Sequence, residues 1–163
     1  MSILPEILFK SFWFATAALG FSILFNSPPR ALAAIWLGAF ITGFVKFGIL
    51  QWVSPDAYVL ASFLAALSIG VLSIPGAHWR HVPPVILAIP PVIPLMPGVF
   101  AYKTMMGLTR LTNESPDYTT TLSETIHFGA LTVFIVLALA LGVSIPMHVL
   151  RASSVKNLRF RLK

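Results

Sequence analysis

The amino-acid sequence predicts an all-α integral membrane protein: a bundle of about five transmembrane helices, the fourth broken by a proline-rich stretch. Three observations carry this expectation. The 163 residues are 57% hydrophobic and only 10% charged, with a mean hydropathy of +0.88, whereas soluble domains hold roughly 25% charged residues. Apolar runs close to the ~20 residues a bilayer demands recur along the chain. Six of the 13 prolines, Pro83, Pro84, Pro90, Pro91, Pro94 and Pro97, fall between His81 and Leu108. The length suits one transmembrane domain over residues 1–163, closed by a basic tail at 151–163. That tail holds Arg151, Lys156, Arg159, Arg161 and Lys163, an anchor for anionic lipid. The net charge of +6 is therefore no nucleic-acid signature. The chain has no cysteine, which removes disulfide and thiolate chemistry.

The first span covers roughly Ile7 to Phe25 and is apolar apart from Lys10 and small hydroxyls. A secretory signal peptide is the competing reading, since Lys10, the apolar run and Ala31-Leu32-Ala33 mimic its parts. Arg30 just before the would-be cleavage site, and a further span directly after it, favour a retained helix. Asn26-Ser27-Pro28-Pro29-Arg30 is a turn. The second span runs from about Ala31 to Leu50, with small residues Ala34, Gly38, Ala39, Thr42 and Gly43 that permit close helix contact. It also holds Lys46, which either snorkels to the interface or places a charge in a pathway. Ser54-Pro55-Asp56 leads to the third span, Ala57 to roughly Ile74, whose small face of Ala61, Ala65, Ala66, Ser68 and Gly70 suits another helix. Pro75-Gly76 is read as its end. His78, Trp79, Arg80 and His81 follow as a headgroup-boundary linker. No carboxylate lies between Asp56 and Glu114, so the two histidines there do not suggest a metal site.

The stretch from His81 to Leu108 sets the function. An interior proline removes a backbone donor and clashes with the carbonyl four residues back, so no continuous helix is expected through Pro90, Pro91, Pro94 and Pro97 together. In hydrocarbon, irregular backbone lasts only where protein buries it or water reaches it. The broken segment therefore reads as the lining of a site or pathway. Pro97-Gly98 can open a half-helix, because proline suits the first turn and glycine lets a ligand approach the backbone. The donors of Gly98, Val99 and Phe100 would then meet a carboxylate, with Tyr102, Lys103 and Thr104 adding hydrogen bonds or charge. The bland alternative is a packed, kinked helix whose neighbours satisfy the freed groups.

A polar loop from Thr109 to Thr121 follows, and Asn113-Glu114-Ser115 formally matches a glycosylation acceptor. Thr121-Leu122-Ser123-Glu124 fits the capping-box pattern, so the last helix is expected from near Leu122 to about Leu150, bent at Gly142 and Pro146. If the broken stretch crosses the bilayer, one side holds Arg30, Arg80 and the five tail cations, against Lys10 and Arg110 on the other. If it is re-entrant, the division becomes six against four. The sharper asymmetry favours five spans, with the tail cytoplasmic and the amino terminus outside.

Phe25-Asn26-Ser27-Pro28-Pro29-Arg30-Ala31-Leu32, the small-residue span from Ser62 to Gly70, and Ile93-Pro94-Leu95-Met96-Pro97-Gly98-Val99-Phe100-Ala101-Tyr102-Lys103-Thr104-Met105 resemble the threonine/serine exporter (ThrE) family. The resemblance reaches to Gly142-Val143-Ser144-Ile145-Pro146, and it is closer to the small subunit of the split, two-component bacterial form. It implies an inner-membrane exporter of small polar metabolites, threonine and serine or dicarboxylates such as succinate. It also implies a larger, separately encoded membrane subunit as partner, and no cofactor. From the residues themselves, the membrane-embedded part, with Glu124 counted with the preceding polar loop, holds no Asp, Glu or Cys to couple a proton, and five spans leave no inverted repeat. Small-residue faces on the second and third spans further suit contact with another subunit, a homodimer being the alternative. An intramembrane enzyme lacks a base-and-orienter set, since His127 and His148 lie near opposite ends of one helix. A non-transporting assembly subunit remains the other class, because small-residue helices serve packing equally well.

Overall fold

Turn residues divide the apolar chain where their backbone preferences require it. The computed structural model describes residues 3–112 and 118–159, with side chains to residue 149. The elements are α1 (Ile3–Leu24), α2 (Pro29–Trp52), α3 (Tyr58–Arg80), α4 (Pro84–Val92), a 3₁₀ turn (Ile93–Leu95), α5 (Gly98–Thr112) and α6 (Tyr118–Arg159). Pro29 and Pro84 stand at first helical positions, where a missing N–H costs nothing. α1 and α3 end alike: Asn26 (φ 55°) and His81 (φ 53°) turn left-handed. The next amides, of Ser27 and Val82, donate back to the carbonyls of Ser22 and Ala77 at 3.0 and 3.1 Å. This closes the last turn without glycine.

Lipid is as apolar as leucine, so these helices are held by close packing rather than by escape from water. Glycine and alanine make the approach possible. A Cβ built on Gly142 would stand 2.8 Å from both the Ala66 methyl and the Phe63 carbonyl. One built on Gly70 would meet Pro146 at 3.0 Å and the Gly142 and Val143 carbonyls at 3.1 Å. On α2, Gly38 is covered by Ile69 and Gly43 by the Phe14 ring. The centre of the bundle is a core of Phe14, Ala15, Ala18, Ala39, Ala65, Ala66, Leu95, Ile135 and Leu139. Buried hydroxyls turn inward on their own helices: Ser11 donates to Ile7 O at 2.7 Å, Thr42 to Gly38 O at 2.8 Å and Ser73 to Gly70 O at 2.8 Å.

The contacts of α3 with α6 settle the direction of the broken segment. Gly142 lies against Phe63, Ala66 and Leu67, while Gly70, one turn further along α3, meets residues as far as Pro146. The two helices therefore advance in parallel. Tyr58, at the start of α3, packs on Phe100, which stacks on Phe128 near the start of α6. A parallel pair needs the chain between its members to travel back across the bundle. That chain does so, from Leu87 against Gly76, through Leu95 in the core, to α5 antiparallel on α6. Four helices are each long and apolar enough to cross a membrane. The pair Pro84–Leu95 and Gly98–Thr112, bent by 48°, supplies the fifth crossing of the bundle.

Several boundaries differ from the sequence expectation. α3 does not end at Pro75-Gly76 but continues to Arg80. Gly76 is instead a contact glycine, since a Cβ there would stand 2.9 Å from Leu87. α4 runs helical through Pro90 and Pro91, both buried. The two prolines remove two donors from this short helix, and their rings are buried in the bundle beside Leu87 and Ala88. Only at Pro94 does the backbone tighten to 3₁₀, and it breaks at Met96-Pro97. α6 starts at Tyr118, so Thr121–Glu124 lies inside the helix and caps nothing. The helix passes Gly142 and Pro146 and continues beyond Leu150 to Arg159. The glycosylation match at Asn113, and the acids Glu114 and Asp117, lie outside the described residues.

Two outcomes follow for the bundle. Single cysteines replacing Asp56 and Tyr118 should react with an impermeant maleimide from one side of the membrane, and those replacing Asn26 and His81 from the other. Tyr118→Cys labelling together with His81→Cys would make the broken segment re-entrant. Gly142→Val should cost about 1–3 kcal/mol by overpacking, read as a lowered melting temperature in detergent. Gly20→Ala, inside α1 with nothing within 4 Å of the added Cβ, should not lower it and can raise it slightly.

Candidate functional site

The break between the 3₁₀ turn and α5 is nearly closed on itself. Met96 is extended (φ −57°, ψ 139°), the conformation a following proline favours. Its N–H donates to Ile93 O at 3.0 Å, the Gly98 N–H to Met96 O at 2.9 Å, and the Ala101 N–H to Pro97 O at 3.0 Å. The Gly98 donor, expected free, is thus engaged. The amides of Val99 and Phe100 stand in the first turn, without intrahelical carbonyls. Neither donates to another backbone carbonyl among the described residues. Around this turn the chain is open: a Cβ on Gly98 meets nothing within 4 Å, and Val99 is 68% exposed. α5 buries no residue. Its opening turn therefore faces outward from this chain rather than into an enclosed pocket.

Further along α5 the expected residues separate. Phe100 is half-buried between Tyr58 (ring centroids 5.0 Å, edge-on) and Phe128 (6.0 Å, stacked). Thr104 is half-buried beside Gly129, its hydroxyl donating to Phe100 O at 2.8 Å. Tyr102 and Lys103 are exposed and line a cleft of about 360 Å³ between α5 and α6. The Lys103 ammonium stands 4.6 Å from the Phe128 ring centroid, a cation–π contact. Across from them the cleft is lined by Thr121, Glu124 and Thr125 of α6, and it continues past Gly107 to Arg110. At Gly107 the helices touch, for a Cβ there would fall on the Thr125 hydroxyl.

A family model described as "Threonine/Serine exporter, ThrE" matches residues 10–149. The chain belongs to this exporter family. A Haemophilus influenzae relative, itself described only as an uncharacterized protein, is 30% identical over 106 residues, 65% of this chain and 35% of its own length. The chain thus spans about a third of the length of the curated relative it matches. No solved structure matches it.

For a ThrE chain the notable addition is a mixed-charge cleft that sequence reading did not assemble. In the sequence Arg110 falls in the polar loop and Glu124 in a capping pattern, and nothing there connects either with Thr125 or Phe128. The signal was present as two helical stripes, Lys103, Gly107 and Arg110 on α5, and Thr121, Glu124, Thr125 and Phe128 on α6. By helix rise, Glu124 lies about 17 Å along α6 from Ile135 in the core. A bilayer's half-thickness is about 15 Å, so the cleft stands at the membrane boundary. Lys46 is elsewhere. It is half-buried one turn beyond Thr42 on α2, a helix that packs on α1, α3 and α4, whereas α5 packs on α6.

Proposed function

We propose that this ThrE-family chain is the smaller membrane component of a secondary exporter of small polar carboxylates, threonine and serine or dicarboxylates such as succinate. The observation that carries the proposal is the interrupted helix. At the level of Leu95 in the bundle core the backbone breaks, and α5 opens with a first turn that its own chain leaves uncovered. Half-helix amino termini near the middle of a carrier favour anionic substrate groups. Pro97, Gly98, Val99 and Phe100 form that turn in the proposal, with Tyr102, Lys103 and Thr104 as auxiliary contacts and Lys46 as a separate pathway charge.

A second, larger membrane subunit completes the pathway in this reading. The small-residue faces of α2 and α3, expected to meet that subunit, are used inside the chain by Phe14, Ile69, Gly142 and Pro146. The open turn and outer side of α5 take their place as the surface to be covered. The matched 106 residues are 65% of this chain but only 35% of the relative, so that relative is nearly twice as long, consistent with a pathway that needs more protein than this chain supplies. The bacterial inner membrane, with residues 151–163 on the cytoplasmic side, is the proposed setting.

Counterflow of labelled serine, threonine and succinate in vesicles tests the proposal. Exchange is expected with the chain and its larger partner together, and only background with this chain alone. Robust exchange by the lone chain would remove the partner, and none in either case would remove transport. Gly98→Val should abolish flux at normal protein level, because the added side chain clashes with nothing in this chain and so acts only on what approaches from outside. Lys103→Ala should lower flux roughly twofold to fivefold, the weight of one exposed charge. Normal flux from Gly98→Val would eliminate the half-helix site.

A further inference from the structure

We propose that the outward groove between α2, α3 and α4 holds one anionic phospholipid, its acyl chain along the groove and its phosphate on Arg80. The site is separate from the transport reading, since neither α5 nor α6 contributes to its walls. The groove measures about 320 Å³, at the lower end of the ~300–1,000 Å³ range of small-molecule sites. Leu37 and Ile41 of α2, Ile69, Leu72 and Trp79 of α3 and Leu87 of α4 line it. Close packing makes its floor: a Cβ on Gly38 would stand 2.8 Å from Ile69, and one on Gly76 2.9 Å from Leu87. The one hydroxyl in the lining, on Ser73, already donates to Gly70 O at 2.8 Å. Apart from the Trp79 indole at its mouth, the side chains of the groove offer only apolar surface, which suits a hydrocarbon chain and not a polar solute.

Depth and charge select the occupant. From Ile69 to Trp79 the groove follows α3 for about 15 Å by helix rise, the half-thickness of the hydrocarbon core. A partner's transmembrane helix would need a seam across the whole bilayer, whereas a groove from the boundary to the middle matches a tail from one leaflet. Its outer end carries a cation. The Arg80 guanidinium carbon stands 4.1 Å from the centroid of the Trp79 ring, so the charge rests on the groove's own wall. Among the described residues Arg80 Nε is shut off from solvent without a hydrogen-bond partner, and no carboxylate pairs with the guanidinium. Arginine donors match phosphate oxygens in bidentate fashion. Ala31 shares a buried cluster with Ala77 and Leu87, which brings Arg30, at the start of α2, to the same end of the bundle. Residues 25–34, 76–87 and 142–149, which reach that end, contain no Asp or Glu. An anionic headgroup there meets positive charge that the chain does not compensate, as in the basic pockets between transmembrane helices that hold lipid headgroups.

The absence of cysteine allows the groove to be probed by position. A bimane fluorophore on Leu37→Cys reports the groove rim, and one on Leu141→Cys, exposed on α6, reports ordinary lipid contact at similar depth. The full chain is reconstituted in vesicles of phosphatidylethanolamine and phosphatidylglycerol, of which only one at a time carries a brominated, quenching acyl chain. Brominated phosphatidylglycerol should quench the Leu37 position at a mole fraction about fivefold to tenfold below that needed of brominated phosphatidylethanolamine, the weight of one hydrogen bond to a charged group. The Leu141 position should show a much smaller preference. Arg80→Gln should erase the difference between the two positions, and Arg80→Lys should keep part of it, because lysine retains the charge without the fork. Unchanged quenching at Leu141 shows that each variant is inserted. Equal quenching by the two lipids at Leu37, or a preference there untouched by Arg80→Gln, would overturn the proposal. So would the same preference at Leu141, which would assign the selectivity to the basic tail. No quenching at Leu37 by either lipid would also overturn it and give the groove to another protein segment.

Discussion

A backbone amide or carbonyl in hydrocarbon has no water to turn to, and each one left unpaired costs several kcal/mol. That constraint governs how this bundle can contain a broken helix at all. The break at Met96-Pro97 is held by three short-range hydrogen bonds, from Met96, Gly98 and Ala101, which leave the amides of Val99 and Phe100 without a backbone acceptor. The carbonyl of Gly142, which Pro146 deprives of its usual donor, faces Gly70, where the lack of a side chain lets the two backbones come together. Ser11, Thr42 and Ser73 satisfy themselves on their own helices. Beyond these, the buried Ser22 hydroxyl and Arg80 Nε find no partner among the described residues, while unassigned polar groups stand at the start of α5 and in the cleft. Both regions can meet a solute without breaking the rule that the rest of the bundle obeys.

The sequence revealed the class, the spans and the position of the half-helix, because each depends on local composition. Twenty apolar residues declare a span, and Pro97-Gly98 declares a helix start. The failures all involve reasons that lie far along the chain. Pro75-Gly76 resembles a stop, yet Gly76 is glycine because Leu87 needs its space. Pro90 and Pro91 look prohibitive singly, but a packed neighbourhood lets a nine-residue helix contain both. Thr121 to Glu124 satisfies a capping pattern that the helix, already begun at Tyr118, does not use. The cleft was hidden for the same reason. Lys103 with Arg110 and Glu124 with Phe128 are unremarkable stripes until α5 and α6 are laid antiparallel. The contacts of Gly107 with Thr125 and of Lys103 with Phe128 make them one surface.

Membership of the exporter family and the geometry bear on different questions. The family match covers residues 10–149 and so includes both the broken helix and the cleft. It does not distinguish the two. The geometry separates them by depth, one at the level of the core residue Leu95 and the other at the boundary near Glu124. It also separates them by chemistry, backbone donors in the first and side-chain charges of both signs in the second.

The lack of any buried residue on α5 has a consequence for local stability. α1, α2, α3 and α6 share a core, so none of them can open without disturbing the others. α5 buries no residue of its own and leans mainly on α6, with Phe100 as its contact to Tyr58 of α3 and to the edge of the core. Opening free energies within one protein range from near zero up to the global value, and segments with few packed contacts sit at the low end. The amides of α5 should therefore exchange with solvent deuterium well before those of α3 or the middle of α6. Detaching α5 from α6 would take the cleft apart at the expense of the Phe100 contacts but of no fully buried residue, so an occupant that bridges the two helices would register as slowed exchange across both.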